Sequence, residues 1–281
     1  MTTSSKSLLV FAGSPEVAAS PVVLSVPHAG ILVPAQDAPL LAVSGKGLLK
    51  DADLHVDRLV QRVPALGVPV VVAQISRYVL DVNRAPDDVD REVCPEIERP
   101  ARPSARGLCW RTTTDGAAVL VRPLTLAELR SRLQRIHEPY HETLAELLQQ
   151  RRQRFGYAVL LDVHSMPSLG RPGHTDPGAR RADIVPGDLR GTSCSPLLSK
   201  LVADHFAGAG LSVRANDPYM GGYVTKQHGR PARGVHAIQV ELNRDLYMDE
   251  ASFALVDDKA AVVTGLLLGL VEKVKALQLP S

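Results

Sequence analysis

Val159-Leu160-Leu161-Asp162-Val163-His164-Ser165-Met166-Pro167-Ser168 decides how this chain is read. An apolar run carrying one acid leads to His164 and Ser165 and breaks at Pro167, the pattern of a short buried strand whose last residues emerge at a sheet edge. His164 therefore stands at a strand's carboxyl end, where open α/β sheets bind ligands. Imidazole is also the commonest metal ligand and the side chain that titrates nearest neutrality. Asp162 lies two residues back on the same face, where it either orients the imidazole or is a plain polar edge residue. A hydrogen-bonded strand-end histidine is common on its own, so the company it keeps decides.

Other strands end alike. Val22 to Val26 reads as a strand stopping at Pro27-His28-Ala29-Gly30, which puts a second imidazole in a turn after a strand. Val68 to Ile75 is a buried strand, and Arg77 to Val82 continues as an extended segment ending at Asn83-Arg84. A planar guanidinium beside an amide suits a carboxylate or a developing oxyanion, although surface arginine is commoner. Val235 to Leu242 is a strand with Ala237, Gln239 and Glu241 on one face, followed by Asn243 and Arg244. An acid ending an apolar strand is costly to bury unless paired or functional.

Between these, Leu48 to Leu66 has apolar residues at helical spacing and predicts a helix with Asp53 and Asp57 on one stripe. Either that stripe is a solvated flank or one carboxylate reaches inward to a metal; spacing leaves open which. Residues 86–123 form a long Pro- and Arg-rich loop containing Arg99, Arg102, Arg106, Arg111 and Trp110, which suits an anionic-substrate lid better than a nucleic-acid patch. Thr125 to Phe155 is helical, with a capping box from Thr125 and Glu128 and a break or kink at Pro139. His137-Glu138-Pro139-Tyr140-His141 matches the H-E-x-x-H zinc pattern, but that chemistry needs an unbroken helix, which Pro139 opposes. Residues 167–192 form a second polar loop with a short strand at Asp183 to Val185. Beyond it, Ser195 to Gly208 is an amphipathic helix, Leu211 to Arg214 a candidate strand, 216–223 a loop with a Gly pair, and Ala251 to Leu277 a closing helix.

Alternating strands and helices without repeat or linker predict one α/β domain over 1–281, with a mostly parallel or mixed central sheet between helices. The 281 residues are 45% hydrophobic and 22% charged with a formal charge of +2, so nothing global argues for nucleic acid or an anionic membrane. No secretory leader and no apolar run of membrane-spanning length is apparent, which predicts a cytoplasmic protein. Three scattered cysteines, Cys94, Cys109 and Cys194, suit a reducing compartment and argue against a zinc cluster.

Two histidines and a carboxylate are the usual protein ligands of a catalytic zinc, and a further Glu can be the general base, so the constellation points to metal-assisted hydrolysis. Ser25 to Gly30, Asp53 to Leu59, Ser76-Arg77 with Asp81 to Arg84, Pro139 to His141, Asp162 to Ser168, Ala182 to Val185 and Gln239 to Arg244 together resemble the successive motifs of the N-formylglutamate amidohydrolase family. That family is similar in turn to zinc carboxypeptidases and the aspartoacylase group. The resemblance implies a three-layer, carboxypeptidase-like sandwich and hydrolysis of N-formyl-L-glutamate to formate and L-glutamate in histidine breakdown. It implies one divalent metal, zinc or another, on His28, Asp53 and His164, with Glu241 as base and Arg77 beside the oxyanion. Asn83, Arg84 and Arg244 would hold a small anionic N-acyl amino acid. Aspartoacylase-type relatives carry the first carboxylate three positions after the first His, but here that residue is Ile31, and Asp53 takes the role by inference. Other readings are an amidohydrolase for another N-acyl amino acid or a peptidoglycan fragment, and a non-catalytic binding protein on the same fold. Oligomeric state is not legible.

Overall fold

The computed structural model describes residues 2–4, 7–14, 17, 19–98 and 104–279, so Arg99 and Arg102 lie outside the described residues. Its centre is a seven-stranded mixed sheet built from β1 (Thr2–Ser4), β2 (Leu8–Phe11), β3 (Val22–Val26), β4 (Val70–Ala73), β5 (Ala158–Met166), β6 (Ile184–Gly187) and β7 (Val235–Asn243). The strand order is β1-β2-β4-β3-β5-β7-β6. The four inner strands β4, β3, β5 and β7 run parallel, and antiparallel strands close both edges.

Strand alternation sorts side chains to two apolar layers. Val159, Leu161 and Val163 of β5, with Ile238, Val240 and Leu242 of β7, face a core closed by α1 (Val56–Leu59), α4 (Pro196–Ala207) and α6 (Asp257–Ala276). Ala158, Leu160 and Ala237 face the other way, onto Leu129, Ile136, Tyr140, Leu144 and Leu148 of a long helical segment. That segment is α2 (Leu126–Arg132), a π-helical turn (Leu133–His137) and α3 (Glu138–Phe155), with the expected capping box at Thr125 and Glu128. All nine residues of β5 are buried, and each large aliphatic side chain there contributes about 1.5–3 kcal/mol. That burial offsets the cost of carrying Asp162 and His164 on the second face of the same strand. α5 (Tyr223–His228) joins this second layer through Val224.

Several local expectations are corrected. Leu48 to Leu66 is not one helix but two 3-10 turns flanking the four-residue α1, because His55 adopts a left-handed conformation (φ 67°) and Asp53 N–H donates to the His28 carbonyl. Its apolar residues Val56, Leu59, Val60 and Val63 still reach the core, and that shared burial gives the stretch its helix-like spacing. Arg77 to Val82 is a turn, not an extended segment, with Val79 N–H bonded to the Ser76 carbonyl. Leu211 to Arg214 contributes a single bridge, Val213 to Ile184. The closing helix starts at Asp257, after a small hairpin of β8 (Met248–Asp249) and β9 (Ala254–Leu255). Pro139 does not divide the helical segment; the π-helical turn directly before it takes up the irregularity. Among the described residues no helix is long and apolar enough to cross a membrane.

Candidate active site

His28 and His164 reach the carboxyl end of the sheet from β3 and β5, and their Nδ1 atoms stand 3.1 Å apart. The turn that carries His28 hugs β4 because Gly30 has no side chain; a Cβ there would sit 2.2 Å from the Gln74 carbonyl carbon. Asp53, tethered by its N–H to the His28 carbonyl, places Oδ2 at 3.1 Å from His164 Nδ1 and 3.5 Å from His28 Nδ1.

The far nitrogens decide what this convergence means. His28 Nε2 donates to Asp81 Oδ1 at 2.7 Å, and His164 Nε2 donates to Asp162 Oδ2 at 3.0 Å. An ionised carboxylate can only accept, so each ring carries its proton on the far side and turns a lone pair toward the other ring and Asp53. Two lone pairs and a carboxylate oxygen facing one another in a buried site call for a positive charge among them, a proton on one ring or a metal ion. Burial disfavours a charged His164, yet Asp162, Asp53 and Glu241 outweigh it and hold its pKa well above the ordinary value. Burial likewise opposes ionisation of Asp53, but His164 and His28 keep its pKa well below normal. Asp81 is also held well below normal, by Arg77 and His28 against its burial. His28, Asp53 and His164 could hold a metal ion: their ligand atoms lie within 4.8 Å of one another. Two imidazoles and a carboxylate are the donor set of catalytic zinc, and Asp81 and Asp162 are the outer partners that fix the ring tautomers.

Arg244 and Arg77 brace this group. Arg244 donates to Asp53 Oδ1, the Ala52 and Lys50 carbonyls and Ser165 Oγ. It lines the cavity, as the expected substrate-binding role requires, and it also holds Asp53, with its cost of burial met by those acceptors. Arg77 forks onto Asp81 Oδ2 and donates to the Asp51 carbonyl, with its guanidinium 4.5 Å from the Trp110 ring centre. It lines the cavity as a fixed positive charge.

Glu241 is the direct register partner of His164 across the β5–β7 ladder. Both point to the second face, so the parallel pairing sets them side by side. Gln239 Nε2 donates to Glu241 Oε1 at 2.9 Å. Burial pushes the Glu241 pKa up to about 7; Asp53 adds to this, while His164, Arg77 and Arg244 oppose it. A carboxyl poised near neutrality beside a cation site is the profile of a general base.

The site opens into a cavity of about 410 Å³ walled by both long loops. Asp51 ties those loops together: it accepts from Tyr78 Oη, from Thr114 N and Oγ1, and from Arg171 Nη1. Asn83 is pinned by the Val224 N–H on its Oδ1 and packs against Gly222, where a Cβ would lie 2.3 Å from its Nδ2.

Sequence reasoning brought His28, Asp53, His164, Glu241, Arg77, Asn83, Arg84 and Arg244 to one cluster, and all eight line the cavity. Asp57 is exposed and takes no part. His137 and His141 do face each other (ring centres 4.4 Å apart), contrary to the argument from Pro139, but their Nε2 atoms donate to the Arg84 and Val82 carbonyls. Among the described residues the group of His28, Asp53 and His164 is the one with metal-binding geometry. Asp81, Asp51 and Gln239 were missed. Asp81 carried the signal of an acid between Leu80 and Val82, whereas Asp51, between Lys50 and Ala52, carried none.

The family model for N-formylglutamate amidohydrolase matches residues 20–248. An N-formylglutamate deformylase from Pseudomonas aeruginosa is 37% identical over 262 residues, 91% of this chain and 93% of that protein. Another from Pseudomonas putida is 34% identical over 234 residues, 82% of each chain. The crystal structure of N-formylglutamate amidohydrolase from Ralstonia eutropha JMP134 superposes with a TM-score of 0.86 at 33% identity, covering 96% of this chain and 97% of that one. Gene product Atu2144 of Agrobacterium tumefaciens shares the fold, with a TM-score of 0.69 at 22% identity over 96% and 94% of the two chains.

Proposed function

The chain belongs to the N-formylglutamate amidohydrolase family, and from that premise we propose that it hydrolyses N-formyl-L-glutamate to formate and L-glutamate with one divalent metal, zinc by its donor set, held by His28, Asp53 and His164. The observation that carries this reading is Glu241, raised toward neutrality, in direct register with a histidine whose lone pair is turned to a cation site. Relatives named as deformylases support the substrate.

A zinc ion at this group would supply Lewis-acid polarisation of the formyl carbonyl and acidify the attacking water. The chain's residues do the rest. Asp81 and Asp162 keep the protons of His28 and His164 on the far nitrogens, leaving Nδ1 free to ligate. Glu241 takes a proton from water as oxygen adds to the formyl carbon, then gives it to the amide nitrogen as the C–N bond breaks, so formate and the amine leave with protons balanced. Arg77 contributes a fixed positive charge where the carbonyl oxygen becomes an oxyanion. Asn83 and Arg84 bind a substrate carboxylate. This reading includes a role in histidine breakdown and a cytoplasmic site of action, consistent with three free, buried cysteines.

The test is metal analysis of the purified protein, followed by release of the free amino acid from N-formyl-L-glutamate, N-acetyl-L-glutamate and N-formyl-L-aspartate. The reading expects about one metal per chain and turnover of the first compound fastest. A metal-loaded protein that releases formate from neither formyl compound overturns it.

A further inference from the structure

Four arginines line the cavity: Arg77, Arg84, Arg106 and Arg244. Arg77 and Arg244 are neutralised by Asp81 and Asp53. For Arg84 and Arg106 no carboxylate lies within ion-pair reach among the described residues. Arg84 Nε is buried without a hydrogen-bond partner, an exceptional state for a charged donor unless a ligand completes it. Arg106 donates to the Gly173 carbonyl and lies 5.9 Å from the Trp110 ring centre, which aims the guanidinium without neutralising it. The two positive charges also act on each other; burial foremost, and Arg84 in part, lower the Arg106 pKa. Acids such as Asp81 and Asp88 near Arg84 and Asp51 near Arg106 act on these charges only at longer range, so two guanidiniums without an ion-pair partner in one cavity form a receptor for a dianion.

Their positions are not equivalent. Arg84 follows Asn83, whose Nδ2 is 3.4 Å from His164 Nε2, and its charge is felt by Asp81, the partner of His28. Arg106 comes from the outer loop, where it feels Asp51, Arg84 and Tyr219. In an N-formyl dicarboxylic amino acid, the α-carboxylate is attached to the carbon bearing the scissile nitrogen, whereas the side-chain carboxylate lies farther away. Resting on the function proposed above, we propose that Arg106 is the specificity-determining residue for the side-chain carboxylate, while Arg84 receives the α-carboxylate.

The experiment compares the parent, Arg106→Gln and Arg84→Gln on N-formyl-L-glutamate, N-formyl-L-glutamine and N-formyl-L-isoglutamine, with thermal midpoints recorded for each protein. Arg106→Gln should lower kcat/KM for N-formylglutamate on the order of 10²-fold, chiefly through KM, as expected for losing a charge-assisted contact. Its penalty on N-formylglutamine, which lacks the side-chain charge, should shrink to a few-fold. Arg84→Gln should show the converse, with relief on N-formylisoglutamine. Equal penalties from Arg106→Gln on all three compounds, or relief only on the isoglutamine, overturn the assignment. If Arg106→Gln does not fold, Arg106→Lys takes its place and should keep part of the parent's preference for glutamate over glutamine; a parent without that preference overturns the proposal. If the parent turns over none of the compounds, the function reading fails and calorimetry decides the charge receptor separately. Tighter binding of N-formylglutamate than of N-formylglutamine by the parent, lost in Arg106→Gln, upholds Arg106, and its absence overturns it.

Discussion

His28 donates Nε2–H to Asp81 Oδ1 at 2.7 Å, while the other oxygen of the same carboxylate is held by Arg77. Asp81 is therefore fixed as an acceptor and fixes the tautomer of His28 in turn. Asp81→Asn retains the shape but can present an N–H to the ring, releasing Nδ1 from its ligating state. Metal affinity should fall about 10–100-fold. Competition titration against a chelator measures this directly, and unchanged affinity would show that Asp81 acts on Arg77 alone.

Removing a ring should do more. His28→Ala and His164→Ala are each expected to purify with little metal while keeping a cooperative thermal transition, whereas His137→Ala keeps its metal, since His137 Nε2 is engaged by the Arg84 carbonyl. Metal content by elemental analysis checks all three, and full loading of both ring variants contradicts the proposed ligand set.

Glu241→Gln separates base from ligand. The amide preserves volume and leaves the three ligating side chains in place, so metal should stay and turnover per folded molecule should fall by ~10²-fold or more. The acid limb of the parent's kcat/KM profile, where the carboxylate protonates, should vanish in the variant. A rate within a few-fold of the parent would exclude Glu241 as the base.

A pair of neutral histidines away from the centre predicts acid sensitivity. His141 donates Nε2–H to the Val82 carbonyl and stands 3.0 Å by Nδ1 from His228 Nε2, so neither ring has room for an extra proton without cost. Burial, with His137 and His228 adding, pushes His141 down to about 3; burial and Arg230, against Asp162, push His228 down to about 4. Both folded values lie below the ordinary 6.5, so their contribution is complete above that pH and is lost as the unfolded chain takes up protons below it. At pH 5 each should cost about 2 kcal/mol. Denaturant unfolding at pH 8 and pH 5 should show a smaller loss for His228→Gln than for the parent; identical slopes with pH would refute the assignment.

Gly222→Ala puts a methyl carbon into the Asn83 amide, which is held on its other side by Val224 N–H. Asn83 must then leave its place beside Arg84. KM should rise at least about tenfold with metal content and folding intact, and steady-state kinetics that match the parent would mean that Asn83 does not position substrate.

The legible part of the site was the part that strands deliver. His28, His164 and Glu241 each follow an apolar run that stops abruptly, and a strand's end is a place in space as well as in sequence. Asp53 was legible mainly through family likeness, because the apolar spacing around it imitates a helix that the left-handed turn at His55 forbids. Asp81 lay in a run whose alternation of Tyr78, Leu80 and Val82 reads as a strand, yet all three are buried in a turn covered by loops. Loop burial of this kind depends on distant residues such as Asp51 and Thr114 meeting, and no local pattern records that meeting. Arg106 likewise read as one of several loop arginines until its neighbours showed which charges had no counterpart.

The pairing of His164 with Glu241 is a rung of a parallel ladder, so the backbones carrying the proposed ligand and base are one strand spacing apart, roughly 4.8 Å. A slip of the ladder by one residue would send Glu241 to the opposite side of the sheet, whereas a change of sequence in the loops carrying Arg106 or Gly222 leaves the rung untouched. What reaction the scaffold runs and which molecule it admits are thus inherited through separate parts of the chain. On the proposed assignment, changes in those loops alter which molecule is admitted without moving the rung that carries the proposed ligand and base.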